Sequence, residues 1–140
     1  MKAWLIDTGP VVSYLDGGDP DHGAVTAAMD SFTGTLISSS AVITEAMHLA
    51  GRTRGGPAAL AELVERSRMR IYDLCQPAEL REAAVLMERY GDTPMDFADA
   101  TLVLLAGALE LREVLTLDRR GFSTYRTEAG HAFHLILDLL

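Results

Sequence analysis

The segment Ala3-Trp-Leu-Ile-Asp7-Thr-Gly-Pro10 decides the fold of this 140-residue chain. Its four apolar residues suit a short buried strand, and the residues after Asp7 carry turn chemistry. Pro10 is tolerated in the first turn of a helix, and the sequence after it continues a helical pattern to Leu15. A strand that leads directly into a helix begins a βα unit, with Asp7 at the carboxyl end of the strand.

The rest of the chain repeats this alternation of short apolar runs and helical patterns. Ser38-Ser-Ser40 supplies N-cap candidates for one of the helices, and Thr93-Pro94 is predicted to open another. The predicted strands are 3–7, 34–37, 69–73, 113–117 and 132–137, and the predicted helices are 10–15, 22–32, 41–50, 57–67, 77–90 and 93–110. The pattern predicts an α/β fold with a mainly parallel sheet of about five strands and helices on both faces.

Length and composition set limits on the class of protein. We expect residues 1–140 to form a single domain with one well-buried core. No apolar run reaches the roughly 18 to 20 residues that span a bilayer, and the N-terminal run is too short for a signal peptide. Cys75 is the only cysteine, so no internal disulfide forms. A cytoplasmic location without a membrane partner is expected.

Four acids end or interrupt apolar stretches. Burying a lone carboxylate is costly, so such a group usually protonates or finds a partner. The same stretches offer few lysines or arginines, and a divalent metal ion is the simplest shared partner if the acids converge. The four residues are Asp7, Glu45, Asp99 and Asp118.

Each of these acids also has a structural interpretation. Asp7 and Asp118 suit turns, and Glu45 could pair with His48 one helical turn away. With Thr93 as N-cap, Asp96 falls at the third helical position and serves the capping geometry. Asp99 then lies beyond the first turn, where no capping role is expected, and it is the better candidate for a metal ligand.

The formal net charge of −8 disfavours nucleic acid as a partner, and removing four metal-site acids still leaves −8 + 4 = −4. Basic character is local instead. Eight of the arginines form three groups in sequence: 52 and 54; 66, 68 and 70; and 119, 120 and 126. Arg119 and Arg120, directly after Asp118, are the candidates for contacts with a phosphate backbone or a protein partner.

Four segments resemble the PIN-domain ribonucleases, particularly the toxins of bacterial VapBC-type toxin–antitoxin pairs. They are Ile6-Asp-Thr8, the helix that carries Glu45, Met95-Asp-Phe-Ala-Asp-Ala100, and Leu115-Thr-Leu-Asp-Arg-Arg-Gly-Phe122. The resemblance covers essentially the whole chain in order and spacing. It implies a PIN-like three-layer α/β/α sandwich.

The resemblance also implies a set of site residues. Asp7, Glu45, Asp99 and Asp118 are expected to be catalytic and to bind metal, with Asp96 as an additional acid. Thr116, and less directly Thr8, are expected to hydrogen-bond the carboxylates. Phe122 matches an aromatic residue that packs in the family.

The activity implied is hydrolysis of RNA by Mg²⁺ or Mn²⁺, ions that prefer oxygen ligands and can activate water. The implied partners are the RNA substrate, a cognate antitoxin and a second copy of the chain. Two alternatives stay open at this point: a PIN-like scaffold without catalysis, and a PIN nuclease of RNA maturation. A receiver domain fits poorly, because Lys2 is the only lysine.

Overall fold

The five predicted strands form one sheet. The structure, a computed structural model, describes residues 2–139. The strands are β1 (Ala3–Ile6), β2 (Thr35–Ser39), β3 (Arg70–Tyr72), β4 (Glu113–Leu115) and β5 (His134–Leu135). Their order across the sheet is β3-β2-β1-β4-β5, and all four pairings are parallel. The strand order reverses beside β1, so the carboxyl end of β1 is where a parallel sheet of this kind forms a site.

Helices cover both faces of the sheet. They are α1 (Thr8–Leu15), α2 (His22–Ser31), α3 (Ser40–Ala50), α4 (Gly56–Ser67), α5 (Pro77–Arg89), α6 (Phe97–Leu109) and α7 (Arg119–Thr124), with a 3₁₀ turn at Ile136–Asp138. Alternate strand residues enter two separate apolar clusters: Leu5 packs with α5 and α6, and Ile6 packs with α1, α3 and α4. The predicted three-layer α/β/α sandwich is confirmed.

The predicted strands and the six predicted helices are present with shifted bounds, but α7 was missed, because the sequence indicated only a turn after Asp118. Two of the shifted bounds lie next to functional or terminal residues. The sixth predicted helix begins at Phe97 rather than at Thr93-Pro94, because Asp96 has an extended backbone and caps the helix with Asp99. The Pro94 carbonyl instead accepts a hydrogen bond from the Tyr125 hydroxyl at 2.9 Å. The last strand is limited to His134–Leu135, because Ile136 starts the 3₁₀ turn. No helix within residues 2–139 is both long and apolar enough to cross a membrane.

Ser39 is the residue of the predicted serine run that caps α3. Its Oγ accepts a hydrogen bond from the Val42 backbone N–H at 3.2 Å and lies 2.7 Å from Thr101 Oγ1. Because the Thr101 hydroxyl donates to the Ala98 carbonyl, Ser39 is the donor to Thr101. One buried serine therefore joins β2, α3 and α6.

Replacing Ser39 with alanine removes both hydrogen bonds of this buried serine. We expect Ser39→Ala to lower the free energy of unfolding by about 1 to 2 kcal/mol, because the first turn of α3 loses its cap. Urea unfolding followed by circular dichroism measures the change. Ser40→Ala is the matched control, since the Ser40 hydroxyl makes an exposed hydrogen bond to Asp73. Equal losses in the two variants would contradict the capping role of Ser39.

Candidate active site

Three of the acidic residues cap helices at the carboxyl edge of the sheet. Asp7 is the N-cap of α1, Asp96 of α6 and Asp118 of α7. Asp7 follows β1 directly, and Asp118 lies three residues after the end of β4, so both stand where parallel strands end. Helix N-termini favour negative charge, which partly offsets the cost of bringing several carboxylates to one place.

Asp7 is the most constrained of the acids. Its backbone N–H donates to the Leu115 carbonyl at 3.0 Å, which continues the β1–β4 ladder. The side chain is 7% exposed, and its two oxygens accept from the Thr8 backbone N–H and the Thr116 hydroxyl, each at 2.8 Å. Burial raises the pKa of Asp7 to about 6, although both hydrogen bonds act in the opposite direction.

Asp96 and Asp99 form a reciprocal capping box. Asp99 N–H donates to Asp96 Oδ1 at 2.8 Å, and Asp96 N–H donates to Asp99 Oδ2 at 3.2 Å. The expectation that Asp96 occupies the third helical position, and that Asp99 has no capping role, was therefore wrong. Burial and the negative charge of Asp7 raise the pKa of Asp99 to about 8.

Thr116 connects Asp7 to the Asp118 loop. Its hydroxyl donates to Asp7 and accepts from the Asp118 backbone N–H at 3.0 Å. Asp118 Oδ1 in turn accepts from the Gly121 backbone N–H at 2.9 Å. A Cβ at position 121 would overlap the Asp118 carboxylate, so only glycine leaves this carboxylate in place.

Glu45 reaches the site from α3 and is exposed, unlike Asp7. The Thr8 hydroxyl donates to Glu45 Oε2 at 3.2 Å, and the Thr8 backbone N–H donates to Asp7. Thr8 thus connects the first and second acids of the predicted set, as Thr116 connects the first and the last. The apolar surroundings predicted for Glu45 were wrong, because its side chain faces solvent.

Tyr125 belongs to the site and was missed by the sequence analysis. The side chain is fully buried, packs edge-on against Tyr90 and Phe122, and donates its hydroxyl to the Pro94 carbonyl. Burial, with the negative charge of Asp99 and Asp118, raises the pKa of Tyr125, so the hydroxyl stays protonated and remains a donor. The available signal was the short spacing of two aromatic residues, Phe122 within α7 and Tyr125 directly after its last residue.

No arginine or lysine neutralises these acids among the residues that the structure describes. Arg119 pairs with Asp138 at 3.0 Å, at the surface, and the Arg120 side chain is exposed. No group of three histidine, cysteine, aspartate or glutamate side chains within residues 2–139 is arranged as a ready ligand set for a metal ion. The carboxylates are therefore gathered at one edge without being packed against one another.

Comparison with known proteins identifies the family. Residues 4–127 match the PIN domain. The protein belongs to the PIN-domain family. Over 134 residues this PIN domain is 37% identical to Ribonuclease VapC26 of Mycobacterium tuberculosis, an alignment that covers 94% of the chain and 98% of the relative. The chain is accordingly a homologue of the VapC ribonucleases, as the sequence resemblance implied.

A solved structure shares the fold. The crystal structure of Mycobacterium tuberculosis VapC20, described as a toxin that cleaves the sarcin–ricin loop, superposes with a TM-score of 0.75. The match covers 89% of this PIN domain and 96% of VapC20, at 19% sequence identity. At that identity the likeness establishes the common fold.

The raised pKa values predict an unusual pH dependence of stability without metal. Between about pH 4 and pH 8 the folded state holds protons on Asp7 and Asp99 that the unfolded state releases, so the free energy of unfolding falls as the pH rises. For the buried Asp7 the change corresponds to about 3 kcal/mol. Asp99→Asn should flatten this decline, because the amide keeps an acceptor for the Asp96 N–H and carries no charge.

Thermal unfolding from pH 4 to pH 8 in EDTA measures this effect. We expect Asp99→Asn to unfold at a higher temperature than the unmodified protein at pH 8, by about 2 to 4 °C for each 1 kcal/mol of repulsion relieved. At pH 4 the two proteins should unfold together. The control is Glu88→Gln, which removes an exposed charge from α5. A constant difference across the pH range would contradict the assignment of the pKa shifts.

Proposed function

We propose that the protein is a Mg²⁺- or Mn²⁺-dependent endoribonuclease, the toxin of a toxin–antitoxin pair, acting in the cytoplasm as a single PIN-like unit over residues 1–140. The observation that carries the proposal is the buried Asp7 carboxylate, whose negative charge repels Asp99 and adds to burial in raising the pKa of Asp99, while no arginine or lysine within residues 2–139 pairs with either acid. A divalent cation relieves that repulsion. The homology to VapC ribonucleases supports RNA as the substrate.

The donor set fits a hard cation. All the candidate ligands are carboxylates, and Mg²⁺ and Mn²⁺ prefer oxygen ligands. Asp7 and Asp99 would hold the ion, while Glu45 and Asp118 complete or tune the site, in part through water. Because Mg²⁺ usually keeps several waters, two direct carboxylates are compatible with the absence of a three-residue cluster within residues 2–139.

When bound, the ion supplies Lewis acidity, lowering the pKa of water and offsetting phosphate charge. The protein orients the ligands. Thr116 holds one oxygen of Asp7 and the backbone of Asp118, and the capping box holds Asp99 at the first turn of α6. The helix N-termini at Asp7, Asp96 and Asp118 direct their positive ends towards the site, where they favour the phosphate of the substrate. Cleavage by water leaves 5′-phosphate and 3′-hydroxyl ends.

The proposed partners follow from charge and exposed apolar surface. An antitoxin with a basic segment complements a chain of net charge −8, and it competes with RNA for the acidic edge. Arg119 and Arg120 remain candidates for contacts with RNA or antitoxin, although Arg119 first has to leave Asp138. Leu80 and Val85 of α5 are 45% and 55% exposed, and they support a homodimer.

Titration of Mn²⁺ into the protein, followed by calorimetry, tests the proposed site. Binding and cleavage of a structured RNA pool should both fall at least about 100-fold in Asp99→Asn, because one of two direct ligands loses its charge. Glu88→Gln is the charge-matched control and should behave as the unmodified protein. If folded, inhibitor-free protein neither binds Mn²⁺ nor cleaves RNA, the non-catalytic scaffold is the better description.

The hydroxyl of Tyr125 should affect metal binding through the position of α6. Tyr125→Phe keeps the aromatic packing and removes the hydrogen bond to the Pro94 carbonyl, so the turn before Asp96 is no longer held. We therefore expect Mn²⁺ affinity to fall about 10-fold. Tyr90→Phe is the matched control in the same aromatic cluster, because the Tyr90 hydroxyl accepts from the Arg126 N–H instead. Calorimetry and urea unfolding separate affinity from stability. Equal affinities in both variants would exclude a positioning role for Tyr125.

A further inference from the structure

An open cleft of about 620 Å³ adjoins the acidic site on one side. It lies between α3 and the first turn of α6. Glu45 and Asp96 line the cleft and also belong to the edge where the acids gather. A strand of RNA whose phosphate reaches the acids would therefore place an adjacent nucleotide in this cleft. We call this space the α3–α6 cleft.

The charge of the α3–α6 cleft excludes a phosphate group from it. Among the residues that the structure describes, no arginine or lysine lines the cleft, and its two charged members, Glu45 and Asp96, are acids. A phosphate would be repelled and left without a counter-charge. The neutral part of a nucleotide, which is its base, meets no such cost.

The wall of the cleft includes an aromatic ring that is fixed in position. Phe97 is the first residue of α6, directly after the N-cap Asp96 and two residues before Asp99. It is half-buried: part of the ring packs against the core, and the side chain also lines the cleft. A ring held in this way loses little conformational entropy when a flat partner stacks on it.

The rest of the cleft suits a planar group. Ala41 and Ala98 leave the floor shallow and apolar, and His48 stands on the α3 side with an exposed ring. No hydrogen bond within residues 2–139 occupies the His48 imidazole, so it is available to the polar edge of a base. Single-stranded RNA is recognised by this combination of an aromatic platform and a hydrogen-bonding group at the base edge.

We propose that the α3–α6 cleft is a nucleobase subsite, in which Phe97 stacks on the base of a nucleotide next to the scissile phosphate. The proposal rests on the ribonuclease function and adds a determinant of substrate binding to it. Phe97 contributes to affinity for the strand, while the acids carry the hydrolysis. A change at Phe97 should therefore alter KM and leave kcat and Mn²⁺ affinity unchanged.

The test compares Phe97→Leu with Phe97→Trp on a labelled pool of random 12-nucleotide RNAs with Mn²⁺. Stacking is worth about 1 to 3 kcal/mol for each base, so Phe97→Leu should raise KM roughly 5- to 150-fold. Phe97→Trp should keep KM within about 2-fold, since indole also stacks. Phe32→Leu is the control, because Phe32 is another half-buried phenylalanine and stacks on Trp4 at the amino end of the sheet.

Abasic substitutions in the best-cleaved RNA then locate the base. In the unmodified protein, one abasic position beside the cleavage point should raise KM as much as Phe97→Leu does. In Phe97→Leu the same abasic RNA should show no further rise, because the two changes remove one contact.

Three results would overturn the subsite. The first is that the Phe97→Leu variant cleaves RNA with unchanged KM. The second is that this variant loses kcat or Mn²⁺ binding rather than affinity for RNA. The third is that the abasic RNA raises the KM of this variant as much as it raises the KM of the unmodified protein. Each leaves the ribonuclease function intact, because the unmodified protein still cleaves in the same assay. If the unmodified protein neither binds Mn²⁺ nor cleaves, the proposed function fails, and the subsite fails with it.

Discussion

The Thr116 hydroxyl donates to the Asp7 carboxylate across the ends of β1 and β4 and accepts the backbone N–H of Asp118. This single side chain fixes the first and last acids of the site relative to the central pair of strands. Asp7 is itself held by the strand ladder and by the N-terminus of α1. The remaining acids are arranged around a carboxylate that has almost no freedom to move, which is how a site is kept in one geometry.

The acids of the site carry structural and chemical roles together. Asp7, Asp96 and Asp118 each cap a helix, so the cost of bringing their charges together is partly compensated before any ligand binds. The compensation is incomplete, since the pKa values of Asp7 and Asp99 are raised. Burial and repulsion thus destabilise the charged forms of these acids. The proposed cation would relieve that cost, and metal binding should stabilise the folded state in return.

The sequence was sufficient for the order of the five strands and the six longer helices, and for the sheet edge at which Asp7 and Asp118 lie, but not for the short helix α7. Those features follow from local patterns, as does the cap at the Ser38–Ser40 run, which the structure assigns to Ser39. The start of α6 was wrong because Thr93-Pro94 has a good local helix-start pattern, whereas the helix is capped by Asp96 and the Pro94 carbonyl is held by a tertiary hydrogen bond from Tyr125. Such a contact joins residues 31 apart in the chain and leaves no local signal.

The acids of the site have a larger structural role than the sequence indicated. Turns were considered for Asp7 and Asp118 and no capping role was expected for Asp99, yet all three make capping hydrogen bonds. The capping role and the site are compatible, because a helix N-terminus at the carboxyl edge of a parallel sheet suits a capping acid and an anionic ligand alike. The sequence cannot show how these charges are balanced, since the balance depends on burial and on distances between elements.

A protein of net charge −8 that acts on RNA has to bind the charged phosphates and the neutral bases of its substrate at different places. At the carboxyl edge of the sheet, the proposed cation would offset the acids and so allow a phosphate to bind. Beside it, the α3–α6 cleft is lined by two acids and, among the described residues, by no arginine or lysine, so it favours a base over a phosphate. This division would place the strand with one phosphate at the metal and one base against Phe97. Specificity then comes from stacking and base-edge contacts rather than from general attraction to the backbone, which the acidic surface does not supply.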